Sequence, residues 1–213
     1  MHLEEGVECF SRITQYENGT KIDYAVCPVE WLRIVVTGER LSDGLDDGYK
    51  VLLDKNGLTE GMKPPTYTAY IPQKPSQAEY LDVIEEFWHE STYVAKNLWR
   101  DELIFAKYNI DYIMKFKMLR QMLEWRVEID YDWSVKTGAY GRGLKKRLPA
   151  DIWAEVESTY CGAGIEENWE ALNRTIEVFR RVAREVGESL GYAYPEELDG
   201  KMMDYLGKVR NLK

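Results

Sequence analysis

The stretch Ile165–Leu190 constrains the fold more than any other. Trp169, Leu172, Ile176, Phe179, Ala183, Val186 and Leu190 recur by threes and fours without a break. That spacing puts one continuous apolar stripe on a long helix, and such a stripe has to be covered by other helices. It reads as the core of a bundle rather than a cofactor groove. Gly191 supplies the residue that most easily turns left-handed at a helix end, and Pro195 opens a last helix to about residue 207. Upstream, Ser76 and Glu79 fit a capping box, and Tyr80, Val83, Ile84, Phe87 and Trp88 share one helical face behind it. Further helical runs cover residues 93–108, 111–129 and 149–160.

The part before residue 74 has a different period. Residues 7–16 and 20–26 are strand-like and flank Glu17-Asn18-Gly19; Asn-Gly between such runs is the strongest short hairpin signal. Pro28 starts a short helix over 29–36, residues 49–54 read as a short strand, and the proline-bearing segment 57–73 reads as a linker. The expected fold class is α+β: a small, incomplete β hairpin or sheet in residues 1–73, then an α-helical bundle in residues 74–213. A hairpin plus one strand is marginal alone, so it should lean on the bundle or belong to a larger sheet.

Composition excludes several classes. With 45% hydrophobic and 13% aromatic residues the chain is not disordered. Its longest charge-free run, residues 64–73, is too short to span a membrane, and the acidic start has no apolar signal region, so the cytoplasm is expected. The net charge is −9, with acids in surplus on both sides of residue 75. Nucleic acid is therefore an unsuitable partner, and a cationic small molecule a suitable one, although solubility alone also explains the charge. Cys9, Cys27 and Cys161 are odd in number and far apart, with no C-x-x-C, so neither a disulfide framework nor a zinc site is expected. Only His2 and His89 are available for histidine chemistry.

Three constellations stand out. Asp23 lies within Lys21-Ile22-Asp23-Tyr24-Ala25-Val26, on the strand face opposite Ile22, Tyr24 and Val26; it reads as an exposed partner of Lys21 or as a metal ligand on a rigid strand. Residues 136–147 form a basic glycine-rich loop. Gly138 and Gly143 have P-loop spacing, but Leu144 stands where the lysine is needed. Lys96 and Arg100 share a helix face, with Lys107 nearby and Glu102 beside them in sequence; they are either a solvated face or an anion contact. Residues 42–48 are not a calcium loop, because Leu45 replaces a ligand. Asp130-Tyr131-Asp132 is a short acidic pair of a kind common in loops.

Several segments together resemble the bacterial aminoglycoside 6-adenylyltransferases, the streptomycin-modifying nucleotidyltransferases. They are Asn18-Gly19-Thr20-Lys21-Ile22-Asp23, Lys74-Pro75-Ser76, Tyr93-Val94-Ala95-Lys96-Asn97-Leu98-Trp99-Arg100-Asp101-Glu102, Ser134-Val135-Lys136-Thr137-Gly138, Asn168-Trp169-Glu170-Ala171-Leu172 and Gly191-Tyr192-Ala193-Tyr194-Pro195-Glu196. The resemblance implies AMP transfer from ATP to a streptomycin hydroxyl, with Mg2+ held by three carboxylates. It implies Asp23 as the third of these, and so as catalytic and metal-binding residue. It further implies Lys96, Arg100 and Lys145 as nucleotide contacts, and Tyr93, Glu102, Trp169 and Glu170 as contacts to the cationic antibiotic. The sequence departs from the family in having no Gly-Ser dipeptide and no acidic pair on the strand before Asp23. In the basic loop, Ala139 stands where the family has lysine. The expectation is a nucleotidyltransferase remnant, inactive or weak alone unless a longer chain or a partner supplies the missing motif. The alternative is a non-catalytic aminoglycoside-binding remnant.

Overall fold

The computed structural model describes residues 6–212 and the backbone of residues 2–4. The chain divides into two compact units, Met1–Tyr70 and Ile71–Lys213, and the fold is α+β.

In the first unit β1 (His2–Glu4), β2 (Val7–Gln15) and β3 (Lys21–Val26) form an antiparallel sheet in that order. Phe10 opposes Val26 and Gln15 opposes Lys21. The turn between them closes at Gly19, whose φ of 83° suits glycine, while the Asn18 side chain accepts from Thr20 N at 3.0 Å. The same register brings Cys9 to Cys27, with Cα atoms 4.5 Å apart, and the two are joined as a disulfide. This corrects the expectation of no disulfide. The pairing comes from strand register, which no cysteine motif announces.

Two helices follow, α1 (Val29–Thr37) and α2 (Asp43–Asp46). The strand expected over residues 49–54 is absent. Val51, Leu52 and Leu53 are exposed, and the segment finds no strand to pair with among the described residues. Polar side chains order the backbone instead. Asp54 accepts from the N–H groups of Asn56, Leu58 and Thr59 and from the Thr59 hydroxyl. Asp46 is buried and accepts from Thr66 N and Oγ1 at 2.7 Å, and from Thr68 N and Ala69 N. That structural duty explains an acidic residue that resembles a calcium ligand in sequence.

The second unit is the bundle. Its first helix, α3 (Gln77–Trp99), begins at the capping box, with Ser76 N donating to Glu79 Oε2 at 2.7 Å and Glu79 N donating to Ser76 Oγ. Then come α4 (Leu103–Lys107), a π-wound segment (Tyr108–Leu119) and α5 (Arg120–Asp130), which run on as one rod. After α6 (Leu144–Arg147) and α7 (Ala150–Ser158) the chain reaches α8 (Ile165–Leu190) and α9 (Glu196–Arg210). Gly191 ends α8 at φ 76°. The core is the α8 stripe laid against Tyr80, Ile84 and Phe87 of α3 and Ile110, Met114 and Met122 of the rod. Phe87 and Phe179 stack with centroids 3.6 Å apart. No described helix is long and apolar enough to cross a membrane.

The helix boundary after α3 differs from the sequence expectation. The break falls at residues 100–102 and not near residue 109, so Lys107 is separated from Lys96 and Arg100. It pairs instead with Asp111 at 2.7 Å.

Candidate functional site

The break between α3 and α4 builds the most site-like surface of the bundle. Asn97, 1% exposed, donates its side-chain N–H to Tyr93 O at 2.7 Å, and its own carbonyl accepts from Glu102 N at 2.8 Å. Capturing that N–H forces a tight reversal. Asp101 takes φ 59°, a left-handed conformation that costs a non-glycine residue about 1–2 kcal/mol. Ala106 N then donates to Glu102 O at 3.1 Å, which starts α4. The result is an open depression of about 820 Å3 lined by Asp101, Glu102, Leu103, Ile104, Phe105 and Tyr108. Neither acidic side chain has a hydrogen-bond or ion-pair partner among the described residues. Two free carboxylates beside flat apolar rings suit a delocalised cation such as guanidinium.

The α3 side of the same junction is basic. Lys96 is half-buried with its ammonium 4.4 Å from the Tyr93 ring centroid, and Tyr93 also packs on His89 at 5.2 Å. Arg100 caps α3 and is exposed. Neither cation forms an ion pair among the described residues. Both lie in the last turn, where the helix dipole favours positive charge, so their placement has a structural cause as well as a possible use. The structure thus puts Tyr93 and Lys96 in contact near the end of α3, Arg100 at its cap and Glu102 beyond the break, in the wall of the depression. Sequence reasoning missed Asp101, Phe105 and Tyr108. The last two were legible as rings three residues apart that lie off the core face.

The remaining expected residues lie elsewhere. Lys145 pairs with Glu157 at 2.7 Å and sits 5.6 Å from the Trp153 ring, so its charge is already compensated. Trp169 is 6% exposed and belongs to the core, with the Arg210 guanidinium over its ring. Glu170 is exposed, 3.5 Å from Arg174. Asp23 is exposed on β3, with the Lys21 ammonium 3.1 Å from its carboxylate.

In the basic loop, Gly143 is required by close approach. A Cβ there would meet Thr137 O at 2.6 Å, and Gly143 N donates to that same oxygen at 2.7 Å. Just before the loop, Val135 N donates at 3.3 Å to Glu128, which is fully buried and has its carboxyl pushed up by burial. Arg147 turns back on Gly143 O at 3.4 Å. No group of three or more His, Cys, Asp or Glu side chains placed to hold a metal occurs among the described residues.

Comparison with known proteins matches the chain to a family. A family profile described as streptomycin adenylyltransferase matches residues 1–209. An aminoglycoside 6-adenylyltransferase of Bacillus subtilis (strain 168) is 32% identical over 191 residues, covering 90% of this chain and 65% of that protein. One from Campylobacter jejuni is 31% identical over 197 residues, covering 92% and 65%. The crystal structure of an aminoglycoside 6-adenyltransferase from Bacillus subtilis matches with a TM-score of 0.59 at 27% identity, covering 98% of this chain and 73% of that one. The chain therefore spans about 65% of the length of the curated relatives it matches.

Proposed function

The chain belongs to the streptomycin adenylyltransferase family, and from that premise we propose that it serves transfer of AMP from ATP to a hydroxyl of a cationic aminoglycoside such as streptomycin. In that reaction the hydroxyl oxygen attacks the α-phosphate. A new P–O bond forms as the bond to the pyrophosphate leaving group breaks, and the hydroxyl proton passes to a carboxylate.

The observation that carries the reading is the α3–α4 junction. Its acids and its cations have no hydrogen-bond or ion-pair partner among the described residues, the cations ending α3 and the acids preceding α4. Asp101 and Glu102, with Phe105 and Tyr108, would hold a guanidinium of the acceptor. Lys96 and Arg100 would meet phosphate oxygens, with Tyr93 fixing the lysine. Lys145 would join the phosphate contacts only by leaving Glu157. Glu170 would add acidity, and Trp169 would act through the packing around it rather than by contact.

The family chemistry implies Mg2+, which would polarise the phosphate and align the leaving group. The carboxylates described do not fit such an ion by themselves. Asp23 offers one, and it already faces Lys21. We assign no step to the ion on these residues. Asp23 serves as a ligand only where further carboxylates join it from a longer chain or a partner. The chain by itself is accordingly proposed to transfer AMP feebly. A second reading, that it holds the antibiotic without modifying it, is favoured by the same contrast between a free acidic depression and a committed Asp23.

Calorimetric titration with streptomycin, with and without ATP and Mg2+, tests the binding claim beside a radiolabelled AMP-transfer assay. Glu102→Gln should weaken binding by about fivefold to tenfold, the value of one charge-assisted contact at an exposed site. Unchanged affinity in that variant would remove the junction as the acceptor site. Ordinary turnover by the chain alone would refute the feeble-transfer claim.

A further inference from the structure

The aromatic wall of the depression continues well beyond it. Phe105, Tyr108, Tyr112 and Phe116 follow one another at three, four and four residues, with ring centroids 6.3, 5.6 and 5.6 Å apart. Tyr140, from the glycine loop, adds a fifth ring 5.8 Å from Phe116. Phe105, Tyr108, Tyr112 and Tyr140 are 48, 51, 44 and 74% exposed, and Ile104 at the head of the row is 84% exposed. The opposite side of the same rod supplies the core through Ile110, Met114 and Met118. Exposed apolar residues are ordinary when scattered singly, whereas a contiguous row marks a surface that another molecule covers.

Charge at the two ends of the row says what covers it. At the start stand Asp101 and Glu102, both without a hydrogen-bond or ion-pair partner among the described residues. At the far end stands Lys117, exposed, 5.0 Å from the Tyr112 ring and in no ion pair among the described residues. Arg120 nearby is already paired with Glu124 at 2.7 Å. Acids at one end, an exposed cation at the other whose charge is felt within the chain only at a distance by Glu90, and rings between them form a pattern that complements itself under a two-fold axis. We propose that this face docks a second copy of the chain, with the two rods antiparallel about an axis midway between Tyr108 and Tyr112. Tyr108 then meets the partner's Tyr112, and Lys117 falls within a helical turn of the partner's Glu102.

The exposed parts of these rings and of Ile104 amount to roughly 500 Å2 per copy, below the ~800 Å2 of a standard stable interface. The dimer is therefore weak and forms at micromolar concentrations or above. It does not depend on the acceptor-site reading. The two meet only at Glu102, where antibiotic and partner copy compete, so streptomycin drives the dimer apart if both hold.

Sedimentation velocity on the full chain, over a concentration series from about 5 to about 500 μM, reads the association directly. Glu102→Lys alone and Lys117→Glu alone should each weaken it by about tenfold, and the double reversal should recover most of the loss, because the swapped charges attract again. Tyr112→Ser should weaken it whichever charges are present. A monomer at every concentration overturns the proposal, as does a double reversal no better than either single change. If Tyr112→Ser weakens streptomycin binding while the chain stays monomeric, the row is an acceptor platform and the dimer is refuted.

Discussion

Removing the carboxylate of Asp111 should cost the bundle more than removing the lysine it neutralises. The Lys115 ammonium is buried, its side chain 2% exposed, and it donates to Asp111 Oδ1 at 2.8 Å and to Thr159 O at 2.7 Å, with the Tyr160 ring 4.6 Å away. Lys107 holds the other carboxylate oxygen at 2.7 Å. Burial pushes Lys115 below the usual lysine range, against the pull of Asp111. Burial works against the Asp111 carboxylate too, but the two lysines outweigh it and hold the acid below its ordinary value. Asp111→Asn leaves a buried ammonium without its counter-charge. Breaking a buried pair costs about 3–5 kcal/mol, and the partial exposure of Asp111 reduces this to about 2–3 kcal/mol. Lys115→Met removes the buried charge altogether. Thr159 O loses a donor, at about 1 kcal/mol, but the desolvation cost of the ammonium goes with it, so the net change should be within about 1 kcal/mol.

The two variants should also differ in pH dependence. In Asp111→Asn the folded-state pKa of Lys115 falls further below the unfolded value of about 10.4. Between those two values the unfolded chain binds more protons, so stability rises with pH in that window. The deficit of Asp111→Asn should therefore shrink as pH climbs toward 10, while that of Lys115→Met should grow slightly, because the parent's own lysine is held below the usual range and gains stability over the same window. Urea unfolding of the bundle, followed by far-UV circular dichroism at several pH values, measures both. Equal losses in the two variants, or an Asp111→Asn deficit that ignores pH, would show that the ammonium is not buried against this carboxylate.

In the first unit, backbone and hydroxyl donation from Thr59, with help from Asn56 and Leu58, holds Asp54 down at about 2. The support Asp54 gives its turn should be complete above the unfolded value of about 3.9 and should fade as pH falls toward about 2, which carboxyl NMR titration with amide exchange over residues 54–59 would record. Cys9→Ser should lower stability by about 3 kcal/mol under non-reducing conditions, because it opens a loop of 18 residues, and added reductant should bring the parent down to the variant in a thermal melt. Gly187→Ala should destabilise despite alanine's better helix propensity. Its Cβ would meet Tyr80 Oη at 2.5 Å and Tyr192 O at 2.8 Å, and a rise in melting temperature would contradict that packing.

How much of this was legible in the sequence depended on whether the signal was local. The α8 stripe was readable because its period runs unbroken into Gly191, and the capping box because Ser76 and Glu79 complete it between themselves. The β2–β3 hairpin followed from Asn18-Gly19. The Cys9–Cys27 bond was within reach of the same register, since Phe10 opposite Val26 puts the preceding and following residues together. Residues 49–54 misled because an apolar run states a preference without supplying a partner strand. The break at residues 100–102 was hidden because Asp101 is not a turn-marking glycine; the reversal is imposed by the buried Asn97 carbonyl capturing Glu102 N. Of the expected site residues, Tyr93, Lys96 and Arg100 stand on the last turns of α3 and Glu102 just beyond that hidden turn. The reasons for choosing them were chemical, and the turn that sets Glu102 apart from the others comes from a hydrogen bond that no residue type announces.

That turn also separates the charges. In an uninterrupted helix Lys107 would extend the basic face of Lys96 and Arg100. The reversal sends it to Asp111 and leaves Asp101 and Glu102 free at the rim, with acids on the α4 side and cations on the α3 side. A reaction between a polyanionic nucleotide and a cationic acceptor needs that division. Substitutions at Asp101 can separate its conformational role from its charge. Asp101→Gly relieves the left-handed backbone and should leave stability unchanged or raise it by up to about 1 kcal/mol, whereas Asp101→Asn tolerates the same φ and should change it little. Both remove the carboxylate, so both should weaken streptomycin binding to a similar extent in calorimetry. If Asp101→Asn binds as the parent does while Asp101→Gly binds worse, the residue acts through backbone shape, and the acidity of the depression rests on Glu102 alone.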